Sequence, residues 1–358
     1  MSQDLVFIVP GDPGQRTGGY LYDARIVAEL RDCGWQVRHL GLEGEFPLAD
    51  ATAFKSLSNT LAKIDSGTTV VIDGLALGGL PDAVASHADR LKLVALVHHP
   101  LADETGLTPD LREELLRLER RALDHCRQII VTSEFTARRL HELHLTERQA
   151  VVVEPGVDQA QPSSTARAQL NSHGSSEQEH LLCVASLTRR KGQDLLLEAL
   201  AGLTEHSWLC RLSGSDRRDR SFSKRLRDLS ETPKLSGRVE ITGERDEAEL
   251  SADYHWASVL VLPSHFEGYG MVITEALASG LPIIATTGGA LASTVPPEAS
   301  LRVPPGDAAA LKSALARWLQ DSALRQRLTE KAMQHREQLA GWDQAGKRFA
   351  QALRFKAA

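Results

Sequence analysis

The sequence predicts an α/β protein built from two doubly wound, Rossmann-like domains, and three observations predict it. At 358 residues the chain is longer than one hydrophobic core usually serves. Short, solidly apolar runs alternate with helix-like stretches along most of its length, as parallel strands covered on both faces would. Around residues 154–178 this alternation lapses into Pro, Gly, Ser, Gln and Asn, the composition of a linker.

In the first half the strand candidates are 5–9, 35–40, 69–72, 91–97, 128–132 and 150–153, with helices starting near Gly18, Asp50, Gly79, Pro109 and Glu134. In the second half they are 181–187, 208–212, 239–242, 259–262, 282–286 and 301–303, again with helices between them. The tail reads as helices over 308–319 and 322–339 and a last one from about Asp343. These elements place the first domain at 1–160, a linker at 161–179 with room for a short helix at 166–170, and the second domain at 180–340. The closing helix, 341–358, is expected to cross back to the first domain.

A formal charge of −6 argues against nucleic acid as a partner, so an anionic ligand needs local positive groups. Cys33, Cys126, Cys183 and Cys210 are scattered without metal-ligand spacing and read as reduced thiols of a cytoplasmic protein. The start of the chain carries no basic leader, and no apolar run approaches membrane-spanning length. Peripheral contact with the inner membrane face is compatible with the sequence but not indicated by it. The leucines at 111, 115, 118 and 123 fit a core-facing helix better than a lipid-facing one. The charged run from Arg211 to Arg227, in which arginines and Lys224 mix with Asp216 and Asp219, fits a charged helix face.

The most informative stretch is 263–276, Pro-Ser-His-Phe-Glu-Gly-Tyr-Gly-Met-Val-Ile-Thr-Glu-Ala. A buried strand precedes it and a helix follows, so its glycines and the helix's first amides form a phosphate-binding outline. Glu267 and Glu275 bracket this loop, and carboxylates accept hydrogen bonds from hydroxyls, so a ligand carrying phosphates and sugar hydroxyls would suit it. A second anion site is expected where a strand runs into Arg189-Arg190-Lys191-Gly192 and another helix. Both loops lie at the carboxyl edge of one sheet, as do the strand-end glycines Gly214 and Gly243, and ligands of open α/β sheets bind there.

The first domain has a glycine loop at 10–19 that is not the dinucleotide fingerprint, and no acidic residue ends its second strand, which argues against a nicotinamide cofactor. That loop is either a tight turn or a segment reaching into an interdomain cleft. Val97-His98-His99-Pro100 ends a strand, and neighbours there point opposite ways, so at most one histidine is expected to reach the cleft. With no third ligand at sensible spacing, no metal is expected. Asp103 and Glu104 are candidate acceptors beside the histidines.

Glu267-Gly268-Tyr269-Gly270 through Glu275, followed by Ala276-Leu277-Ala278-Ser279-Gly280-Leu281-Pro282 and Thr286-Thr287-Gly288-Gly289, resembles the paired-glutamate motif of the family 4 glycosyltransferases, retaining enzymes of GT-B fold. Supporting matches are Gly18-Gly19, Glu154-Pro155-Gly156-Val157-Asp158, Arg190-Lys191-Gly192 and Trp342. The resemblance implies that Glu275 binds the donor's ribose and Glu267 a hydroxyl of the transferred sugar. It assigns the diphosphate to Lys191 and the amides of Gly270, Met271 and Val272, and places Gly18 and Gly19 beside the donor phosphates. It sets His98 or His99 against the sugar and requires neither cofactor nor metal. Two departures stand out. Ser186 occupies a position where the family often has a phosphate-binding arginine, which leaves that charge to Arg189 or Arg190, and Leu291-Ala292-Ser293 replaces a loop glutamate. The implied reaction moves a hexose from a nucleoside diphosphate sugar to a carbohydrate or lipid-linked acceptor. A nucleotide-sugar epimerase and a catalytically silent nucleotide-sugar binder on the same fold are the competing readings.

Overall fold

The computed structural model describes residues 3–164 and 178–354; the helix expected at 166–170 lies outside them. The chain divides into two units, Met1–Gly156 with Ala340–Ala358, and Val157–Leu339.

The first unit is built on a six-stranded parallel sheet of β1 (Gln3–Pro10), β2 (Trp35–Leu42), β3 (Thr69–Asp73), β4 (Lys92–Val97), β5 (Gln128–Val131) and β6 (Val151–Val152), in the order β2-β1-β3-β4-β5-β6. Every residue of β3 is buried, which is why its sequence is apolar without alternation. Side chains start the covering helices: Asp50 accepts from Ala53 N, and Ser133 accepts from Thr136 N. Thr108 caps the Pro109–Asp124 helix, with Pro109 in its first turn, where a missing N–H costs nothing. On that helix Leu115, Ala122 and Leu123 are buried.

The Trp342–Ala352 helix completes this unit. Phe349 is fully buried, 6.3 Å from the ring of Phe7, and Trp342 lies 5.9 Å from Tyr22. Gly346 permits the approach to the Gly18–Asp32 helix: a Cβ there would sit 2.3 Å from the Cβ of Glu29. The division of the chain falls at Gly156, four residues before the boundary drawn from composition, because Gly156 lies against the backbone of Gly341 and Trp342 in the returning segment.

The second unit repeats the plan with β7 (Glu179–Val184), β8 (Trp208–Ser213), β9 (Val239–Gly243), β10 (Val259–Leu262), β11 (Ile283–Thr286) and β12 (Ser300–Val303), in the order β12-β11-β10-β7-β8-β9, all parallel. The strand expected over 181–187 ends at Val184, where the chain turns away into the basic loop. In each sheet the direction of winding reverses once, between β1 and β3 and between β7 and β10. The carboxyl ends of the strands beside such a reversal are where the fold leaves room for a ligand. Among the described residues no helix is long and apolar enough to cross a membrane.

Candidate functional site

In the second unit, the loops leaving β7 and β10 meet at the reversal point. Gly192, at φ +66°, makes the contact possible: a Cβ there would lie 2.3 Å from the carbonyl oxygen of Pro263. His265 N donates to the Arg190 carbonyl at 2.8 Å, which ties the two loops together.

This contact brings three charges into one partly buried cluster. Lys191 Nζ donates to both oxygens of Glu267, at 2.6 and 2.8 Å. Arg190 Nη1 donates to the Phe266 carbonyl at 2.8 Å and stands 3.4 Å from Glu267 Oε2, and Ser264 Oγ donates to Oε1 at 2.7 Å. Burial favours the neutral acid at Glu267, but the two cations outweigh it and hold the carboxyl below its usual range. Burial also lowers the Lys191 ammonium, against the pull of Glu267. Two cations against one carboxylate leave the cluster positive, as an anion site requires. Arg189 does not join it: its side chain is 67% exposed and lies 3.8 Å from Asp219. Ser186 is present only through its carbonyl, which accepts from Gln193 Nε2 at 3.0 Å.

Beyond Glu267, Gly270 caps the Met271–Ala278 helix at φ +92° and supplies no side-chain bond to its first-turn amides. Glu267 forms an isolated parallel bridge with Gly289, and Thr294 Oγ1 donates to the Tyr269 carbonyl at 3.0 Å, so the segment after β11 braces Gly268 and Tyr269. Leu291, in the stretch where the resemblance anticipated a glutamate, is buried. On the same helix Glu275 Oε2 accepts from the Tyr254 hydroxyl at 2.6 Å. Burial and then the Glu275 charge push the Tyr254 phenol up, which keeps it a donor. Gly214 N donates to the Gly243 carbonyl at 2.8 Å, joining the ends of β8 and β9.

In the first unit, Gly18 and Gly19 open the Gly18–Asp32 helix, whose N-cap Thr17 supplies no side-chain bond. A Cβ on Gly19 would touch the His98 ring at 3.4 Å. His98 follows β4, and its Nε2 lies 3.1 Å from Asp23 Oδ1 and 3.2 Å from Asp73 Oδ2. Asp23 is buried in that helix, and among the described residues its Oδ2 has no hydrogen-bond partner. Asp73 ends β3 and spends its other oxygen on Leu75 N, at 2.7 Å. Burial opposes charge on His98, but the two carboxylates outweigh it and raise the imidazole well above its usual range. Burial pushes the Asp23 carboxyl up in turn, against His98.

The three side chains offer atoms within 4.8 Å of one another, close enough to converge on a cation. Their 3.1 and 3.2 Å separations are also hydrogen-bonding ones. His99 takes a different course, with Nε2 3.6 Å from Glu104. Asp103 is held by both Arg139 Nε and Nη2 at 2.8 Å. Sequence reasoning singled out His98 but neither aspartate, and Glu275 but not Tyr254. Asp23 left one trace, a carboxylate spaced with Ile26, Val27 and Leu30 on a buried helix face.

Two doubly wound units with glycine-bearing loops at their reversal points define the GT-B class of architecture. Residues 26–161 match the model described as Glycosyltransferase Family 4, and 166–335 match Glycosyl transferases group 1. The chain belongs to the family 4 glycosyltransferases. Among curated relatives, the D-inositol 3-phosphate glycosyltransferase of Nocardiopsis dassonvillei is 29% identical over 239 residues, 61% of this chain and 54% of the relative. The chain thus spans about half the length of the curated relatives it matches. Among solved structures, a sucrose-phosphate synthase from Thermosynechococcus elongatus superposes with a TM-score of 0.81 at 24% identity over 98% of both chains. Anabaena HepE, solved with UDP-glucose, gives 0.74 at 16% identity over 98% of this chain and 99% of its own. At these identities the superpositions speak for the fold.

Proposed function

We propose that the chain is a retaining glycosyltransferase that moves a hexose from a nucleoside diphosphate sugar to a carbohydrate or lipid-linked acceptor. The observation that carries this reading is the positive cluster of Lys191 and Arg190 around Glu267, set at a reversal point beside the Met271–Ala278 helix start. That HepE was solved with UDP-glucose supports a donor of this class.

Breaking the bond between sugar and diphosphate builds negative charge on the leaving group and positive character on the sugar. Lys191, Arg190 and the amides of Met271 and Val272 stand ready for the first, fixed before the reaction begins. Glu267 orients both cations. Its two oxygens offer about four acceptor positions, which Lys191, Ser264 and Arg190 already fill, so a sugar hydroxyl would bind by replacing one of these donors, the 3.4 Å contact from Arg190 being the longest. Glu275, steadied by Tyr254, is assigned to the ribose hydroxyls. The first domain is assigned the acceptor side, with His98 rather than His99 acting on the sugar. A cytoplasmic location goes with this reading and accords with four unpaired cysteines, three of them buried.

Glu275→Ala is expected to abolish measurable binding of the nucleoside diphosphate by calorimetry while the fold, followed by circular dichroism, persists; unchanged affinity would remove Glu275 from the donor site. With donor and acceptor supplied, one nucleoside diphosphate should appear per glycoside formed. Isomerised donor without release would mark an epimerase instead, and neither product a silent binder.

A further inference from the structure

We propose that Asp23 and Asp73 are positioning residues that hold His98 as an imidazolium, so that His98 presents a fixed N–H donor to the substrate and does not serve as a base. The geometry carries this. Nε2 faces a carboxylate on each of two elements, Asp23 Oδ1 at 3.1 Å from the Gly18–Asp32 helix and Asp73 Oδ2 at 3.2 Å from the end of β3. Asp73, whose other oxygen accepts from Leu75 N, presents Oδ2 to Nε2 as an acceptor, which places a proton on Nε2. Nδ1 is then the atom whose state varies: an acceptor in the neutral ring, a donor in the cation.

Burial and the neighbouring Asp73 charge push the Asp23 carboxyl up, against His98, so beside a neutral ring the two carboxylates would crowd negative charge around a single shared N–H. A second ring proton supplies the missing positive charge, and burial makes that compensation more valuable. The remaining groups that face His98 do not oppose it. Tyr22, on the same helix as Asp23, presents its ring edge-on at 5.4 Å, and its hydroxyl is spent on the Val153 carbonyl. Thr132 and Thr136 donate to the His98 carbonyl, and Glu104 pairs with His99 on the following turn. Gly19 lies against the ring with no side chain at all, and the His98 side chain keeps 21% of its surface exposed. A cation locked in this way can hold an oxygen of the bound substrate but cannot abstract a proton from a sugar carbon, so the same cluster that suits a transferase disfavours an epimerase.

The inference rests on the proposed function only for what His98 touches, and its first test needs no substrate. In the full chain, nitrogen resonances of the His98 imidazole should show both ring protons retained from about pH 6 to 8, the range where an ordinary histidine titrates. In Asp73→Asn, which keeps the oxygen that caps Leu75, the midpoint should fall toward about 6.5, the ordinary value. Transfer by this variant should then decline as pH rises through that midpoint, while the parent protein shows no such decline. Asp23→Asn should act in the same direction, and Asp73→Glu should restore part of the parent profile. A parent His98 that titrates near its ordinary value would overturn the proposal. So would variants that lose stability yet keep the parent pH profile, or a stoichiometric divalent metal whose removal shifts the His98 resonances, because a metal would take Nε2 from the proton. If no transfer is found under any condition, the proposed function fails, while the imidazole titration still decides the state of His98.

Discussion

Arg189 and Arg190 are adjacent in sequence and differ in role because the short turn that carries them points only one at the β10 loop. Arg190 is anchored by the Phe266 carbonyl and faces Glu267, whereas Arg189 stands in solvent near Asp219. A hydrogen bond to a charged group contributes about 1.5–3 kcal/mol, and 1.4 kcal/mol is tenfold in affinity. Arg190→Ala is therefore expected to weaken nucleoside diphosphate binding by about 10- to 100-fold, and Arg189→Ala to change it less than about twofold. Calorimetry on the two variants side by side would check this; equal losses would contradict the assignment. Glu119 makes a different residue-level case. Its Oε2 accepts from Leu101 N at 3.0 Å, its Oε1 is buried without a partner among the described residues, and burial raises its carboxyl to about 8. A carboxyl raised on folding stabilises the fold while protonated, and that contribution fades as pH rises from its unfolded value toward about 8. Glu119→Gln, which keeps the acceptor for Leu101, should leave the melting temperature nearly unchanged at about pH 5 and raise it relative to the parent above about pH 8. Melts across that range would show the two curves diverging; parallel curves would place the Glu119 proton elsewhere.

At the scale of elements, the strands were legible because burial on both faces writes itself as uninterrupted apolar runs, as in Val259–Leu262, which begins and ends where the sequence placed it. The four-residue Gly74–Leu77 helix was not, because it is started by a strand-end aspartate and is too short to show a period. The donor loops were legible for a related reason: glycines, cations and a helix start fall within a few consecutive residues. The pairs that complete each site were not, since Asp23 lies 75 positions from His98 and Tyr254 lies 21 from Glu275. Local pattern carries no information about such meetings; sheet order does, by setting the ends of β1, β3 and β4 side by side. The joint between the β7 and β10 loops depends on one glycine in the same way. Gly192→Ala would combine a disfavoured φ with a Cβ 2.3 Å from the Pro263 oxygen, so the loops must part. A loss of more than about 1 kcal/mol in urea unfolding is expected. A fall in donor affinity should accompany it, because Arg190 and Lys191 move with the turn. An alanine variant with parent stability and affinity would show that the joint is not needed.

Across the whole molecule, the chain leaves its first unit at Gly156 and returns to it at Ala340, so the first core is completed by the last residues of the structure. Trp342, Ala345, Phe349, Ala350 and Leu353 are buried there, with Phe349 against Phe7 of β1 and Trp342 against Tyr22, which also lies against His98. Burying one large apolar side chain contributes about 1.5–3 kcal/mol, and whole domains are stable by about 5–15 kcal/mol. Deleting 340–358 should therefore remove much of the first unit's margin. Hydrogen exchange is the suitable measurement because it reads each element separately. The amides of β1 and the Gly18–Asp32 helix should lose protection in the truncated chain, while those of β7 and β10 keep theirs. Nucleoside diphosphate should still raise the melting temperature of the second unit, since Lys191, Arg190, Glu267 and Glu275 all lie within it. Transfer should be lost, because Tyr22 no longer steadies the His98 ring. If β7 and β10 lose protection to the same degree, the two units unfold as one, and the division seen in the packing is not a division in stability.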